Sequence, residues 1–301
     1  GVTVPEYGIR PPGYCLPNET RLGRVRLQVS DGARSLAYYE RVLGFRVLEE
    51  GHDVAVLGAQ GDDRPLVELR EHRGAQPVPR RGRIGLYHFA ILLPDRAALG
   101  RFLGHLEKLG AYAGMSDHFV SEAIYLTDPD GLGIEVYADR PRSTWRNHDG
   151  QLVMTTVPLD VESVLQAATE SPGGDAWTGM PAGTVIGHVH LHVGDLERAA
   201  AFYHAGLGLD KTVWNYPGAL FLSAGGYHHH LGTNIWAAGA SPAGPDDARL
   251  LEWEVVVPSG FDAAAAARSL TSAGAVVESD GEDWLAADPW GTVVRVRGAG
   301  G

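Results

Sequence analysis

Four ionisable side chains sit where apolar ones belong. His88, Glu135, His188 and His230 each fall in a strand-like stretch that carries apolar residues such as Phe89, Ile134, Val189 and Leu231. A buried polar group without a partner costs about 1–3 kcal/mol, so a run of them on inward positions implies that the interior has polar work to do. Two or three imidazoles with one carboxylate are metal-binding chemistry: such donors suit Fe(II), and a set that leaves positions open admits a substrate and O₂. Histidine also titrates near neutrality and can move a proton without adjustment. Any single histidine on a strand is more commonly a satisfied core or surface residue. The clustering of His188, His190 and His192 on one strand face, and of His228, His229 and His230 in one mid-chain run, favours a metal site over packing.

The elements that position these residues repeat along the chain. Arg24 to Asp31 (RVRLQVSD) returns as His188 to Asp195 (HVHLHVGD), and Tyr39 and Gly44 return as Tyr203 and Gly208, all at an offset of 164. His88 to Pro94 matches Glu252 to Pro258 at the same offset, and Asp128-Pro129-Asp130-Gly131 answers Asp288-Pro289-Trp290-Gly291 at 160. The repeat predicts four units of roughly 50 residues starting near 22, 85, 186 and 250. Each reads as strand, helix and three strands. The helix is marked by apolar residues at spacings of three and four, such as Leu36, Tyr39, Val42 and Leu43, and by a closing Gly44. The fold class is therefore α+β: four βαβββ modules pairing into two cup-shaped β-sheet domains. The chain divides into an N-terminal extension (1–21), a first half of two modules (22–137), a linker (138–183) with a short helix near Val161 to Ala168, and a second half of two modules (184–301). Ala237 to Ala248 is expected as a loop.

One slot early in the first strand and one in the last strand of each module are ionisable throughout: Arg24 and Glu68, His88 and Glu135, His188 and His230, Glu252 and Arg295. Pairing neighbours along the chain would put an Arg into each cavity, in competition with a cation. Pairing the two middle modules instead collects His88, Glu135, His188 and His230, and leaves the outer modules a charge-neutral set of two Arg and two Glu suited to ion pairing. The second arrangement is preferred.

Composition narrows the partners. Of 301 residues, 44% are hydrophobic and 21% charged, the balance of an ordinary globular protein; 25 Lys+Arg against 37 Asp+Glu give a net charge of −12, which repels nucleic acid and acidic membranes. Cys15 is the single cysteine, so no disulfide within the chain supports the fold; together with the lack of any leader-like or spanning apolar run, Gly1 to Glu6 included, this points to the cytoplasm. A homo-oligomer is compatible with the sequence and not fixed by it.

The βαβββ quadruple with these slots resembles the vicinal oxygen chelate superfamily over nearly the whole chain. His118, Ile124-Tyr125-Leu126-Thr127-Asp128-Pro129-Asp130-Gly131 and Ile134-Glu135 are similar to the signature of type I extradiol ring-cleaving dioxygenases. Ala224 to His230 (AGGYHHH) and Asp139 to Trp145 (DRPRSTW) resemble the catechol 2,3-dioxygenase and hydroquinone-dioxygenase branch. The sequence departs at Ser116, which is not usual two residues before His118, and in carrying the signature in the second module, with Arg295 in the ligand slot of the last. The resemblance implies a non-haem Fe(II) enzyme of aromatic catabolism, with Mn(II) as the variant metal. Its substrates would be a small aromatic diol and O₂. Metal ligands would be His88, Glu135 and His188; Tyr125 would donate to a substrate oxygen, His118 would stand just outside the ligand set, and His229 would be the acid–base residue. His230 is the alternative in register, or a fourth ligand as in glyoxalases, where Ni(II) or Zn(II) would serve a lyase or thiol transferase. A metal-free binding protein is the remaining class. Trp145, Trp214, Tyr216, Tyr227 and Trp236 are candidates for an aromatic wall, though plain core is the commoner use of such residues.

Overall fold

A computed structural model describes residues 6–111 and 113–300; the start of the N-terminal extension, residues 1–5, lies outside the described residues. The first module comprises β1 (Arg21–Val29), α1 (Gly32–Arg41), β2 (Arg46–Gly51), β3 (Val54–Gly58) and β4 (Val67–Glu71), and the second β5 (Gly85–Leu92), α2 (Arg96–Leu109), β6 (Gly114–Asp117), β7 (Ser121–Thr127) and β8 (Gly133–Asp139). The connecting stretch carries a small hairpin, β9 (Asn147–His148) and β10 (Gln151–Leu152), then α3 (Val161–Thr169). The third module follows with β11 (Val185–His192), α4 (Leu196–Ala200) running into a π-helical turn (Ala201–Gly206), β12 (Asp210–Val213), β13 (Ala219–Ser223) and β14 (Leu231–Asn234). The fourth has β15 (Arg249–Val257), α5 (Gly260–Ser272), β16 (Val277–Asp280), β17 (Asp283–Ala287) and β18 (Val293–Gly298).

The repeat has a local cause at each helix start. Asp31, Asp95, Asp195 and Ser259 occupy the same place in the four modules, and each side chain accepts the backbone N–H three residues on, satisfying a donor that the first helical turn leaves free. The turn before the last strand is held in the same way twice. The Tyr39 hydroxyl donates to Asp128 at 3.0 Å and the Tyr203 hydroxyl to Asp288 at 2.7 Å, so a helix of one module pins the Asp-Pro turn of the next. Both carboxyls are pushed up by burial, that of Asp128 to about 6.

The sheets do not follow the two halves of the chain. One eight-stranded sheet runs β12-β13-β14-β11-β5-β8-β7-β6 and the other β16-β17-β18-β15-β1-β4-β3-β2. The middle modules thus share one sheet, sewn by antiparallel pairing of β5 with β11, and the outer modules share the second through β1 and β15. A continuous apolar core with Tyr39, Phe89, Phe102, Tyr203 and Trp253 fully buried ties sheets and helices together. Among the described residues no helix is long and apolar enough to cross a membrane.

A candidate metal centre

Side chains alternate across a strand, so residues two apart share a face. On β8 this puts Glu135, Tyr137 and Asp139 on the concave side, and on β11 His188, His190 and His192. His88 comes from β5, between the two. The Nε2 atom of His188 lies 2.8 Å from Glu135 Oε2, and that of His88 2.9 Å from the same oxygen. One donor atom from each of the three residues lies within 4.8 Å of the others, and all three side chains are buried.

This donor set fits a divalent cation. His88 Nε2 is buried with no hydrogen bond of proper geometry, its approach to Glu135 being close but misaligned, and His188 Nδ1 is likewise unpartnered. Burial lowers the His188 pKa to about 4, leaving a neutral imidazole. Burial by itself would raise Glu135, but the facing imidazoles of His188 and His88 outweigh it and hold the carboxyl well below its usual range. Two imidazoles and one carboxylate aimed at a common point make the two-histidine, one-carboxylate face that leaves further coordination positions open.

The fourth slot differs from the sequence expectation. Strand pairing sets Glu135 beside Ala90, Glu68 beside Arg26 and Arg295 beside Glu254; the same place on β14, beside His190, is taken by Gly232. His230 precedes the strand by one residue, and its Nδ1 accepts the Ala224 N–H at 3.2 Å, away from the triad. A fourth protein ligand is therefore missing from that position. A Cβ on Gly232 would come 2.9 Å from the His190 ring, so the glycine lets that ring lie against β14.

Above the triad is a cavity of about 250 Å³, near the lower end for small-ligand sites. Of the expected residues, His88, Glu135, His188, His118, Tyr125 and His229 border it, as do Tyr216 and Trp236 from the aromatic set. Trp214 packs against the main core, Trp145 meets the His228 ring edge-on at 5.1 Å, and the Tyr227 ring lies 4.1 Å from that same imidazole. The His118 ring is oriented by the linker: its Nδ1–H donates to the Thr155 carbonyl at 2.8 Å, leaving Nε2 to accept the Tyr125 hydroxyl. Burial, and secondarily the Glu135 charge, keep that phenol protonated far above its ordinary range. Met154, Thr155 and Thr156 line the cavity from a stretch read as connection only, and Tyr87 and His190 join them. The alternation on β11 flagged His190; nothing in the sequence marked the linker contacts.

A family model described as the Glyoxalase/Bleomycin resistance protein/Dioxygenase superfamily matches residues 21–136 and 185–282, which together make up more than half of the chain. The chain belongs to this superfamily. Its two curled sheets are consistent with the vicinal oxygen chelate fold. It is 46% identical over 275 residues, 90% of its length, to a Bacillus subtilis (strain 168) protein named catechol-2,3-dioxygenase, of which the match covers 94%. Two solved structures share the fold at low identity. One from Bacillus subtilis subsp. subtilis str. 168 superposes with a TM-score of 0.65 at 14% identity, over 96% of this chain and 87% of that one. Glyoxalase I from Zea mays superposes with a TM-score of 0.52 at 19% identity, over 92% of each chain.

Proposed function

We propose that the protein is a non-haem Fe(II) extradiol dioxygenase that opens a catechol- or hydroquinone-type ring with O₂, placing both oxygen atoms in the product. The reading is carried by the buried His88–Glu135–His188 triad with Gly232 where a fourth ligand would stand. The 46% identity to a protein named catechol-2,3-dioxygenase supports it. Bound Fe(II) would supply adjacent open positions that hold diol and O₂ together, an arrangement that can lower a barrier by about 7–11 kcal/mol.

The chain's own residues handle protons. Burial and the neighbouring imidazoles of His188 and His228 lower the His229 pKa well below its usual value, so its ring is neutral and able to accept a proton from a diol hydroxyl. Tyr125 keeps its proton, and a substrate oxygen gaining negative charge competes with His118 Nε2 for it. Tyr87 and Trp236, edge to face at 5.8 Å and partly exposed, give the cavity an aromatic wall together with buried Phe221. The lyase reading relied on His230 as a ligand and loses that support. A metal-free binding protein gives no reason to bury two imidazoles and a carboxylate with their donor atoms gathered within 4.8 Å of one another. The lone Cys15, unpaired, is in keeping with a cytoplasmic location.

The deciding experiment is oxygen uptake after anaerobic Fe(II) loading. Catechol or methylhydroquinone should consume one O₂ per diol and yield a ring-opened semialdehyde-type acid. Absence of uptake together with turnover of a hemithioacetal under argon would replace this reading with the lyase.

A further inference from the structure

Behind His229 a line of hydrogen bonds runs out of the cavity wall. His229 Nδ1 lies 2.8 Å from His228 Nδ1, and His228 Nε2 lies 2.7 Å from Asp139 Oδ1. Asp139 ends β8, four residues and one strand face on from the metal-ligand candidate Glu135. His228 is fully buried and clamped: the Tyr227 ring lies 4.1 Å and the Trp145 ring 5.1 Å from it, and its carbonyl accepts the Thr212 hydroxyl at 2.7 Å.

The direction of each bond follows from what the groups can do. An ionised carboxylate only accepts, so the proton at the outer bond sits on His228 Nε2. With its single ring proton placed there, His228 has a bare Nδ1, which can only accept; the network then assigns the proton at the inner bond to His229 Nδ1. His229 is left with a bare Nε2, the one ring nitrogen not engaged by the wall, on a side chain that borders the cavity. The Tyr227 hydroxyl also donates to Asp139 Oδ1, at 3.2 Å, and lies 2.6 Å from the Tyr137 hydroxyl, whose ring packs 4.9 Å from His188. A Cβ at position 187 would collide with that Tyr137 hydroxyl, so Gly187 gives the second branch its room.

We propose that Asp139 and His228 are positioning residues which, through this line, fix His229 in the tautomer that presents a proton-accepting Nε2 to the substrate. The proposal rests on the dioxygenase reading for what His229 does, and on hydrogen-bond geometry alone for how His229 is held. A carboxylate setting the tautomer of a catalytic base through a hydrogen bond is a known use of such pairs; here a second imidazole is interposed.

The test combines ¹⁵N NMR of histidine-labelled, metal-free protein with steady-state kinetics of the Fe(II)-loaded enzyme. Wild type should show His229 protonated at Nδ1 and His228 at Nε2. Asp139→Ala should redistribute both tautomers and lower kcat at least about tenfold, with KM for catechol and iron content unchanged. Asp139→Asn, whose Oδ1 can still accept from His228, should recover part of the loss and guards against a folding artefact. The proposal is overturned if wild-type His229 carries its proton on Nε2, or if Asp139→Ala leaves the tautomers and kcat as they were. A wild type that shows the expected tautomers but no oxygen uptake with any diol would instead overturn the dioxygenase reading.

Discussion

The two sheets have one architecture and opposite interiors. In the sheet of the middle modules the shared slots hold His88, Glu135, His188 and Gly232; in the sheet of the outer modules they hold Arg24, Glu68, Glu252 and Arg295. The outer set is knitted into ion pairs. Arg24 meets Glu68 at 3.1 Å, and Arg295 meets Glu252 at 2.7 Å and Asp280 and Asp283 at 2.7 and 2.9 Å. Arg26 lies at the middle, 3.3 Å from Glu68, 2.6 Å from Glu252 and 3.2 Å from Glu254. The corresponding places in the other sheet, each beside the last-strand slot, hold Ala90 and His190. One cup therefore has its cation tethered to the backbone, whereas the other has no guanidinium at either place and keeps three donors aimed at a common point. A duplicated fold can keep its carboxylates in both copies and change function by where the positive charge comes from.

Breaking the middle cup should have the largest effect. His188→Ala or Glu135→Ala removes one of three donors; metal analysis should find the ion lost, and turnover should fall at least about a thousandfold. Breaking the outer cup should cost stability and leave the metal in place. Arg26→Ala strips one shared partner from partly buried Glu252 and from buried Glu254, and chemical denaturation should register a loss of about 3 kcal/mol with unchanged metal stoichiometry. Tyr125→Phe sharpens the contrast within the middle cup: iron content holds while kcat drops about a hundredfold, as expected for a group that meets charge on the substrate.

The smallest effect is a pH dependence common to both sheets. Folded Asp128 keeps its proton up to about pH 6, while the unfolded chain releases it near 3.8. The folded state therefore binds more protons between these values, and stability declines as pH rises from about 4 to 6, by about 2 kcal/mol. Asp128→Asn should flatten that slope in denaturation curves taken across the window; a slope of equal size in the variant would assign it elsewhere. Asp288 is shifted in the same direction and should leave a residual slope of the same sign.

Much of this was legible in the sequence for a physical reason. Ionisable residues on curved, apolar strands stand out because their burial must be compensated, and the four-fold repeat turned isolated oddities such as His88 and Arg24 into comparable positions. Register was the point of failure. His230 took the fourth slot by local pattern, but the pairing of β14 with β11 is a tertiary choice, and it shifts the slot by two residues to Gly232. Residues brought in from a distance were also hidden. The Thr155 carbonyl that orients His118 is 37 positions away, and Asp139 is separated from His228 by 89, so neither contact leaves a local trace.

The central claim is that one cation is held between the middle modules. The direct measurement is an anomalous difference map at the iron absorption edge from crystals of anaerobically Fe(II)-loaded protein. The account predicts one strong peak within bonding distance of His88 Nε2, Glu135 Oε2 and His188 Nε2, and no peak in the outer sheet. An iron peak on other residues, or none at the triad of a fully loaded protein, would contradict it.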